Sequence, residues 1–463
     1  MIKLFHVYFP TRTLLLAASE AFLIVLAFLT AALAWLAGET RFWLNYERGF
    51  LKIAIVSIAC WLCMYYYDLY DSIVLRSLRE TLTRLVQVLG TACVILALFY
   101  YAYPGVRMAR GTFLTGIVLV GLLLAAWRNL FLTLNRSPRL VERTVILGEA
   151  SLASFLAEEI EKRPELGMRL LGLVSHPDDP AHSLNGLRRL GGVEDLPALI
   201  DRERITHVIV AMRDRRRKLP VEDLLRLKTR GVLVQDGADL YEAVTGKVLL
   251  DSLQLSWLLF SPGFRLSWAM LLYKRVFSLI FSLLGLLLAL PLMGLIAVAI
   301  CFDSAGPIIF RQKRLGQEGK PFTLLKFRSM RNEADPDGKP VPARENDDRF
   351  TRVGRWLRRT RLDELPQLYN ILRGDMHFIG PRPFVPEQEE ECLRQIPFYS
   401  QRWSVKPGAT GWAQIHRGYC ASVKDNAEKL AYDLFYIKNP SIGLDLLILF
   451  ETMKILLLRR GAR

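Results

Sequence analysis

The sequence predicts a mixed membrane protein in three parts: a four-helix transmembrane bundle over 1–137, a Rossmann-like α/β domain over 138–262, and an α-rich domain over 263–463 with a re-entrant membrane helix. Three observations predict it. Four apolar runs open the chain, and short buried-type strand runs then alternate with helical ones. A fifth apolar stretch, interrupted by a proline, precedes a segment dense in arginines and paired carboxylates.

The opening runs cover about Leu14–Ala37, Phe50–Tyr67, Leu85–Tyr103 and Thr112–Leu134. Each is near the ~20 residues that cross a bilayer, and the first is too long for a signal-peptide core. Lys3 and Arg12 precede them, Arg76, Arg79 and Arg84 lie between the second and third, and Arg136, Arg139 and Arg143 follow the fourth. The alternate loops carry only Arg41, Arg48, Arg107 and Arg110, so the positive-inside bias puts both termini and everything after Arg136 in the cytoplasm. A multi-pass membrane location is expected.

In the next segment, RTVILG, RLLGLVS, THVIVAM and GVLVQD read as buried strands, with SLASFLAEEIEKR and VEDLLRLKTR as crossover helices. The first strand runs into Gly148-Glu149-Ala150-Ser151-Leu152-Ala153, one glycine where a dinucleotide fingerprint needs three. Glu149 would repel a pyrophosphate. A structural or regulatory domain without a dinucleotide is expected.

The fifth apolar stretch, Val276–Ile300, has the length of a span but carries Pro291 past its middle. Proline lacks an N–H and its ring clashes with the preceding turn, so a helix break is expected there. Basic residues flank both sides, Lys274 and Arg275 before and Arg311, Lys313 and Arg314 after. A re-entrant hairpin keeps both clusters on the cytoplasmic side. The apolar tail, Leu444–Leu458 followed by Arg459 and Arg460, reads as an interfacial helix.

Composition narrows the function. Hydrophobic residues make up 52%, and the net charge of +16 suits anionic membrane surfaces and phosphate-bearing substrates. No zinc-finger or RNP-like motif points to nucleic acid. Cys60 and Cys63 form a CxxC inside an apolar run with no second pair, which reads as buried structure. Cys93, Cys301, Cys392 and Cys420 are scattered, as in a reducing compartment. The six histidines show no metal-ligand spacing, and His377 is expected to serve local hydrogen bonding.

The richest stretch is LDELPQLYNILRGDMHFIGPRP, Leu362–Pro383. Leu365, Leu368, Ile371 and Leu372 recur at helical spacing, predicting a helix over 362–373 with Pro366 in its first turn and Gly374 as its stop. Asp363 and Glu364 then open that helix after Arg352, Arg355, Arg358, Arg359 and Arg361, an environment that favours ionised carboxylates. Arg352, Arg355 and Arg359 share a spacing that marks a solvated or lipid-facing side. Asp375 reads as a turn residue or a metal ligand, and Phe398, Tyr399, Arg402 and Trp403 as a membrane-interface cluster.

This stretch resembles the signature of the bacterial sugar transferases, the polyprenyl-phosphate hexose-1-phosphate transferases. KRLGQEGKPFTLLKFRSM, TRVGRWLRRTRLDELPQL, GDMHFIGPRP, VKPGATGWAQI and YDLFYIKNPSIGLDLLILFETMKIL stand in order over Tyr273–Arg463. The whole chain is similar to the long form of that family, and GWAQIHRGYCASVKDNAEKLAYDLFYIKN to its exopolysaccharide-export branch.

The resemblance implies a monotopic phosphoglycosyl transferase domain. Its reaction moves hexose-1-phosphate from a UDP-sugar, UDP-glucose being favoured, to undecaprenyl phosphate, and releases UMP. Asp363 matches the nucleophile that forms a covalent phosphosugar, and Glu364 its partner carboxylate. Lys326, Arg358 and Arg382 match positions that contact phosphate or stabilise the acidic pair, and Lys406 is a phosphate contact on the uridine side. Mg²⁺ held by Asp363 and substrate oxygens is the expected cofactor, since Mg²⁺ prefers few carboxylates plus phosphates. Family members often have serine where Leu290 precedes Pro291, the expected helix break. The partners are UDP-sugar, undecaprenyl phosphate and membrane lipid, with a homodimer left open and no nucleic acid. Two alternatives remain. A membrane-bound nucleotide-sugar dehydratase needs the missing glycines and a Tyr-x-x-x-Lys pair in the α/β domain. A non-catalytic export scaffold leaves the LDELPQL and GPRP blocks unexplained.

Overall fold

The computed structural model describes residues 2–4, 7–36, 38–71, 74, 77–135, 141–175, 187–212, 219–250, 253, 266–331, 347–417 and 422–458. Of the residues singled out above, Arg76, Arg136, Arg139, Cys420, Arg459 and Arg460 lie outside them. The chain divides into two compact units with the cut between Leu240 and Tyr241. The expected division near 137 does not separate two units. Arg12 lies against Gly167, so the first long helix and the α/β part belong to one.

In the first unit, α1 (Thr11–Leu36), α2 (Gly49–Tyr66), α3 (Leu78–Ala102) and α4 (Arg110–Asn135) are long and apolar enough to cross a membrane. They share one buried core that includes Ile24, Phe28, Val56, Val88 and Leu124. Phe22, Leu33, Val86, Leu98 and Leu122 stay exposed on the outer faces, as lipid-facing side chains would. Helix α3 begins seven residues before the expected Leu85. Ser77 caps it by accepting from the Glu80 N–H, and Glu80 pairs with Arg84 across one turn, so a polar turn extends the apolar run. A charged contact also sits inside the core. The Arg128 guanidinium donates to both Glu20 oxygens at 2.6 and 3.0 Å and to the Leu69 carbonyl at 2.9 Å.

The α/β part is a five-stranded parallel sheet in the order β3-β2-β1-β4-β5, built from β1 (Glu142–Gly148), β2 (Met168–Val174), β3 (Arg189–Gly191), β4 (His207–Ala211) and β5 (Leu233–Asp236). Val145 pairs with Val208 and Leu147 with Val210, and both faces of β1 and β4 are buried, as the unbroken apolar runs require. Helices α5 (Ala150–Glu161), α6 (Leu196–Glu203) and α7 (Val221–Thr229) make the crossovers. At the turn after β1, Gly148 has φ +143° and the Glu149 N–H donates to the Ala211 carbonyl.

The second unit begins earlier than the expected 263. Val248 is buried in its core with Ile379, Trp412 and Phe435, the Val248 N–H donates to Ala431, and Lys247 pairs with Glu428. Its longest element, α8 (Trp268–Asp303), keeps helical geometry through Pro291, so the expected break does not divide it into two helices. The proline removes one intrahelical bond. Packing of Ile296 and Ile300 against Phe327 and Leu357 holds the following turns. Both ends of α8 are tied to the rest of this unit. Arg275 donates to the Ile371 and Leu372 carbonyls, Asp303 accepts from the Val353 N–H, and Arg328 donates to the Ser304 carbonyl.

Next come an antiparallel hairpin, β6 (Ile309–Leu315) with β7 (Pro321–Phe327), and then α9 (Arg352–Thr360), α10 (Gln367–Arg373), β8 (His377–Ile379), α11 (Pro386–Gln395), β9 (Gly408–Thr410), α12 (Trp412–His416), α13 (Val423–Lys438) and α14 (Ile442–Leu457). Strands β8 and β9 pair in parallel, so close that a Cβ on Gly408 would meet the Gly380 nitrogen at 2.1 Å.

Candidate active site

Asp363 and Glu364 sit in a 3₁₀ turn, Leu362–Glu364, and not in the first turn of the expected helix. Pro366 is the reason. It has no N–H to give the Leu362 carbonyl, so Leu365 makes the tighter bond to Leu362, and α10 starts only at Gln367. Gly374, at φ +94°, ends α10 as expected. With seven residues, α10 offers little dipole, so side-chain cations set the charge of the site.

Those cations come from the hairpin and from the GPRP loop. The Asn370 side chain accepts from the Leu325 N–H at 3.0 Å and donates to the Thr323 carbonyl at 2.7 Å, which docks α10 on β7. The neighbouring Lys326 then donates to Glu364 Oε1 at 2.9 Å and lies 3.9 Å from Asp363 Oδ2. Arg382 donates to the same Glu364 oxygen at 2.9 Å. Burial alone would raise the Glu364 carboxyl, but Lys326 and Arg382 outweigh it and hold it well below the carboxylate range. Asp363 goes the other way. Burial raises it against the pull of Lys326, and the Glu364 charge adds to the rise. The expectation of two ionised carboxylates therefore fits Glu364 better than Asp363.

The Asp363 side chain is 10% exposed, and apart from the distant Lys326 pairing it makes no hydrogen bond among the described residues. A buried carboxylate with an accessible, unclaimed oxygen is equipped to attack or to ligate. Glu364 is already committed to two cations, so its part is to fix the geometry. For Mg²⁺ the donor set fits in a limited way: among the described residues no cluster of three His, Cys, Asp or Glu is present, but one free carboxylate completed by substrate phosphates suits that ion.

The other expected residues divide. The Arg358 guanidinium stacks 4.5 Å over Phe350, and its charge pulls Asp363 down. Lys406 is not brought to the carboxylates. It donates to the Gly374 carbonyl at 2.8 Å, capping the far end of α10, because the VKPG turn packs beside β8. Pro291 lies in α8, with Leu287, Leu288 and Leu290 exposed around it. Asp375 accepts from Asn370 and Arg373, the turn role. His377 contacts Ser278 at 3.2 Å, and burial among Lys274, Lys406 and Arg275 brings it down to about 3, so it stays neutral.

The expected interface cluster at 398–403 is corrected. Tyr399 and Arg402 are buried, because Arg402 pairs with Glu389 at 3.3 Å and Asp433 at 3.0 Å inside the unit. Burial pushes Asp433 up to about 6 despite Arg402. Sequence reading also treated Arg314 only as a flanking charge. It lies half-buried beside the site, and desolvation together with Arg382 lowers it to about 10.

Comparison with known proteins agrees with the signature. The bacterial sugar transferase family matches residues 269–459, and a CoA-binding domain family matches 66–226. An undecaprenyl-phosphate glucose phosphotransferase of Komagataeibacter xylinus is 34% identical over 80% of this chain and 69% of its own. A UDP-N-acetylgalactosamine-undecaprenyl-phosphate N-acetylgalactosaminephosphotransferase of Aeromonas hydrophila is 41% identical over 48% of this chain, which spans about half of that relative, 52%. The exopolysaccharide production protein PSS of Rhizobium leguminosarum is 38% identical over 40% of this chain and 94% of its own. The chain belongs to the bacterial sugar transferase family.

Proposed function

We propose that this chain is a membrane phosphoglycosyl transferase that moves hexose-1-phosphate from a UDP-sugar to undecaprenyl phosphate. The observation that carries the reading is the unclaimed Asp363 carboxylate beside a Glu364 locked by Lys326 and Arg382. An Asp363 oxygen attacks the sugar-bearing phosphorus, the phosphoanhydride bond breaks, and UMP leaves with the electron pair. The lipid phosphate oxygen then attacks the aspartyl phosphosugar, which frees Asp363 and forms the lipid diphosphate sugar. Lys326, Arg358 and Arg382 offset the charge gathering on the leaving phosphate. Bound at Asp363, Mg²⁺ would supply further neutralisation of the diphosphate. Glucose is the favoured sugar and exopolysaccharide initiation the favoured role, in line with the names of the Komagataeibacter and Rhizobium relatives.

The membrane arrangement follows the same reading. The four helices of the first unit cross the bacterial inner membrane, and the second unit faces the cytoplasm. Helix α8 enters and returns by bending at Pro291 without a break into two helices, a reading supported by the bonds from both its ends to one folded unit. Its 36 residues, at about 1.5 Å each, far exceed a hydrocarbon core of about 30 Å. Helix α14 lies in the interface, with Ile442, Leu446, Phe450, Met453 and Leu457 exposed along one stripe.

The test supplies purified protein with undecaprenyl phosphate and a panel of UDP-sugars and measures UMP. Release is expected with UDP-glucose, lost in EDTA and restored by Mg²⁺. No release from any UDP-sugar overturns the reading. In whole cells, single cysteines beside Arg275 and Arg314 should both resist an impermeant reagent, and labelling of either from outside overturns the re-entrant helix.

A further inference from the structure

The GPRP loop has an unusual hydrogen-bonding problem. Pro381 and Pro383 carry no N–H, so the loop cannot fold on bonds of its own and must take donors from elsewhere. Each of the four carbonyls from Pro381 to Phe384, where the loop ends, has found one. Pro381 accepts from the Gly408 N–H at 2.9 Å, and Phe384 from the Leu315 N–H at 3.3 Å. The two central carbonyls are taken by arginine side chains: Arg382 accepts from Arg402 Nη2 at 2.9 Å, and Pro383 from Arg314 Nη1 at 3.2 Å.

Arg402 is the more firmly mounted of the two. It is 3% exposed. Nη1 donates to Tyr399 Oη at 2.6 Å and Glu389 Oε1 at 3.3 Å, and Nη2 to Asp433 Oδ2 at 3.0 Å. The guanidinium also stacks 4.5 Å over Phe384, the last residue of the loop, and 5.1 Å over Tyr399. Two carboxylates on α11 and α13 thus aim one planar fork at the backbone of the residue whose side chain clamps Glu364. Lysine has no second nitrogen with which to make these contacts.

We infer that Arg402 is a positioning residue for the transferase site: through the Arg382 carbonyl it sets where the Arg382 guanidinium stands against Glu364 and the leaving phosphate. The inference rests on the proposed transferase reading. It makes Glu389, Tyr399 and Asp433 the mount of that strut, and it explains an arginine buried away from substrate.

The test is a double-mutant cycle on the full-length protein, Arg402→Lys against Arg382→Lys, with kcat and KM read from UMP release. Lysine at 402 keeps the charge that Glu389 and Asp433 need. Arg402→Lys should lower kcat by about 100-fold, the cost of a small misplacement, with the KM for UDP-sugar little changed. In the Arg382→Lys background the same change should cost less than about threefold, because its target is gone. Amide exchange at Arg382 and Phe384 should quicken in Arg402→Lys while exchange in β1 and β4 stays as in the parent. Equal losses in both backgrounds, or unchanged exchange at Arg382 and Phe384, overturn the inference. If Arg402→Lys does not fold, Arg402→Gln with Asp433→Asn keeps the charge balance and goes through the same cycle, with the same two outcomes decisive. A parent protein that releases no UMP sinks the transferase reading instead, and the exchange measurement still decides whether Arg402 holds the loop.

Discussion

In the first unit, Glu20 gives both its oxygens to one arginine, and Arg128 spends its remaining reach on the Leu69 carbonyl. In the second, Glu364 gives a single oxygen to two cations, and its neighbour Asp363 is left with none closer than 3.9 Å. Glu20 and Asp363 are buried and Glu364 half-buried, and all are set against cations. The first contact is closed, with nothing left for a ligand to take. The second is deliberately incomplete, and the incompleteness costs stability, since a buried carboxylate without a close partner is penalised. A structural ion pair and a reactive one therefore differ less in composition than in what they leave unsatisfied.

The comparison breaks first at Asp363. Asp363→Asn keeps the shape and removes the nucleophilic charge, so UMP release should fall by about 10⁴-fold or more while the protein still inserts. Glu364→Gln loosens Lys326 and Arg382 together and should cost about 100-fold or more. Normal turnover by purified Asp363→Asn would falsify the covalent route and make the open carboxylate a structural oddity.

The closed pair should behave in the opposite way. Arg128→Met leaves Glu20 buried without its cation and should destabilise the helical unit by about 3–5 kcal/mol, read as a loss of folded, extractable protein. Adding Glu20→Leu should recover most of that, because replacing a whole buried pair with apolar groups is close to neutral. UMP release per folded molecule should stay at the parent level throughout. A fall in that specific activity would mean that Glu20 and Arg128 are not merely structural.

The open pair was legible in the sequence, and the closed one was not. Asp363, Glu364, Lys326 and Arg382 lie in ordered blocks that resemble a family signature, and the structure brings all four together. Glu20 and Arg128 are single charges in two apolar runs 108 residues apart. The available signal was one acid and one base inside segments that otherwise exclude charge. Arg402 was misread for a related reason: beside Phe398, Tyr399 and Trp403 it looks interfacial, and the carboxylates that bury it lie 13 residues before and 31 after. Its signal was the two prolines of GPRP, which oblige the loop to borrow donors. Lys406, expected on the uridine side of the substrate, donates to the Gly374 carbonyl, a partner that its position in a glycine-rich turn did not announce. The four longer strands of the sheet were plain from their Val, Ile and Leu runs, whereas β3, Arg189–Gly191, is three residues with no such run. The 3₁₀ turn at 362–364 turned on one proline that tolerates a first helical turn but does not enforce one.

His377 offers the finest distinction, because it is closed like Glu20 yet neutral. Buried among Lys274, Lys406 and Arg275, it is lowered from 6.5 to about 3. The unfolded chain takes up a proton at this ring near pH 6.5 and the native protein does not, so native stability supplied above that pH drains away as the pH falls. The loss is at most about 1.4 kcal/mol per pH unit, the value of one proton. Glu364 has the same sign, but its window opens only below its ordinary 4.5, which leaves pH 6.5 to 4.5 to the histidine. Asp433, pushed up to about 6, works in the opposite direction, gaining stability as the pH falls, and does so equally in any His377 variant. His377→Gln keeps a group able to meet Ser278 and removes the titration. Measured unfolding midpoints of the parent should therefore fall more steeply than those of His377→Gln between pH 6.5 and 4.5. Parallel curves would mean that the ring accepts its proton in the native state, and that the cations around it have somewhere else to put their charge.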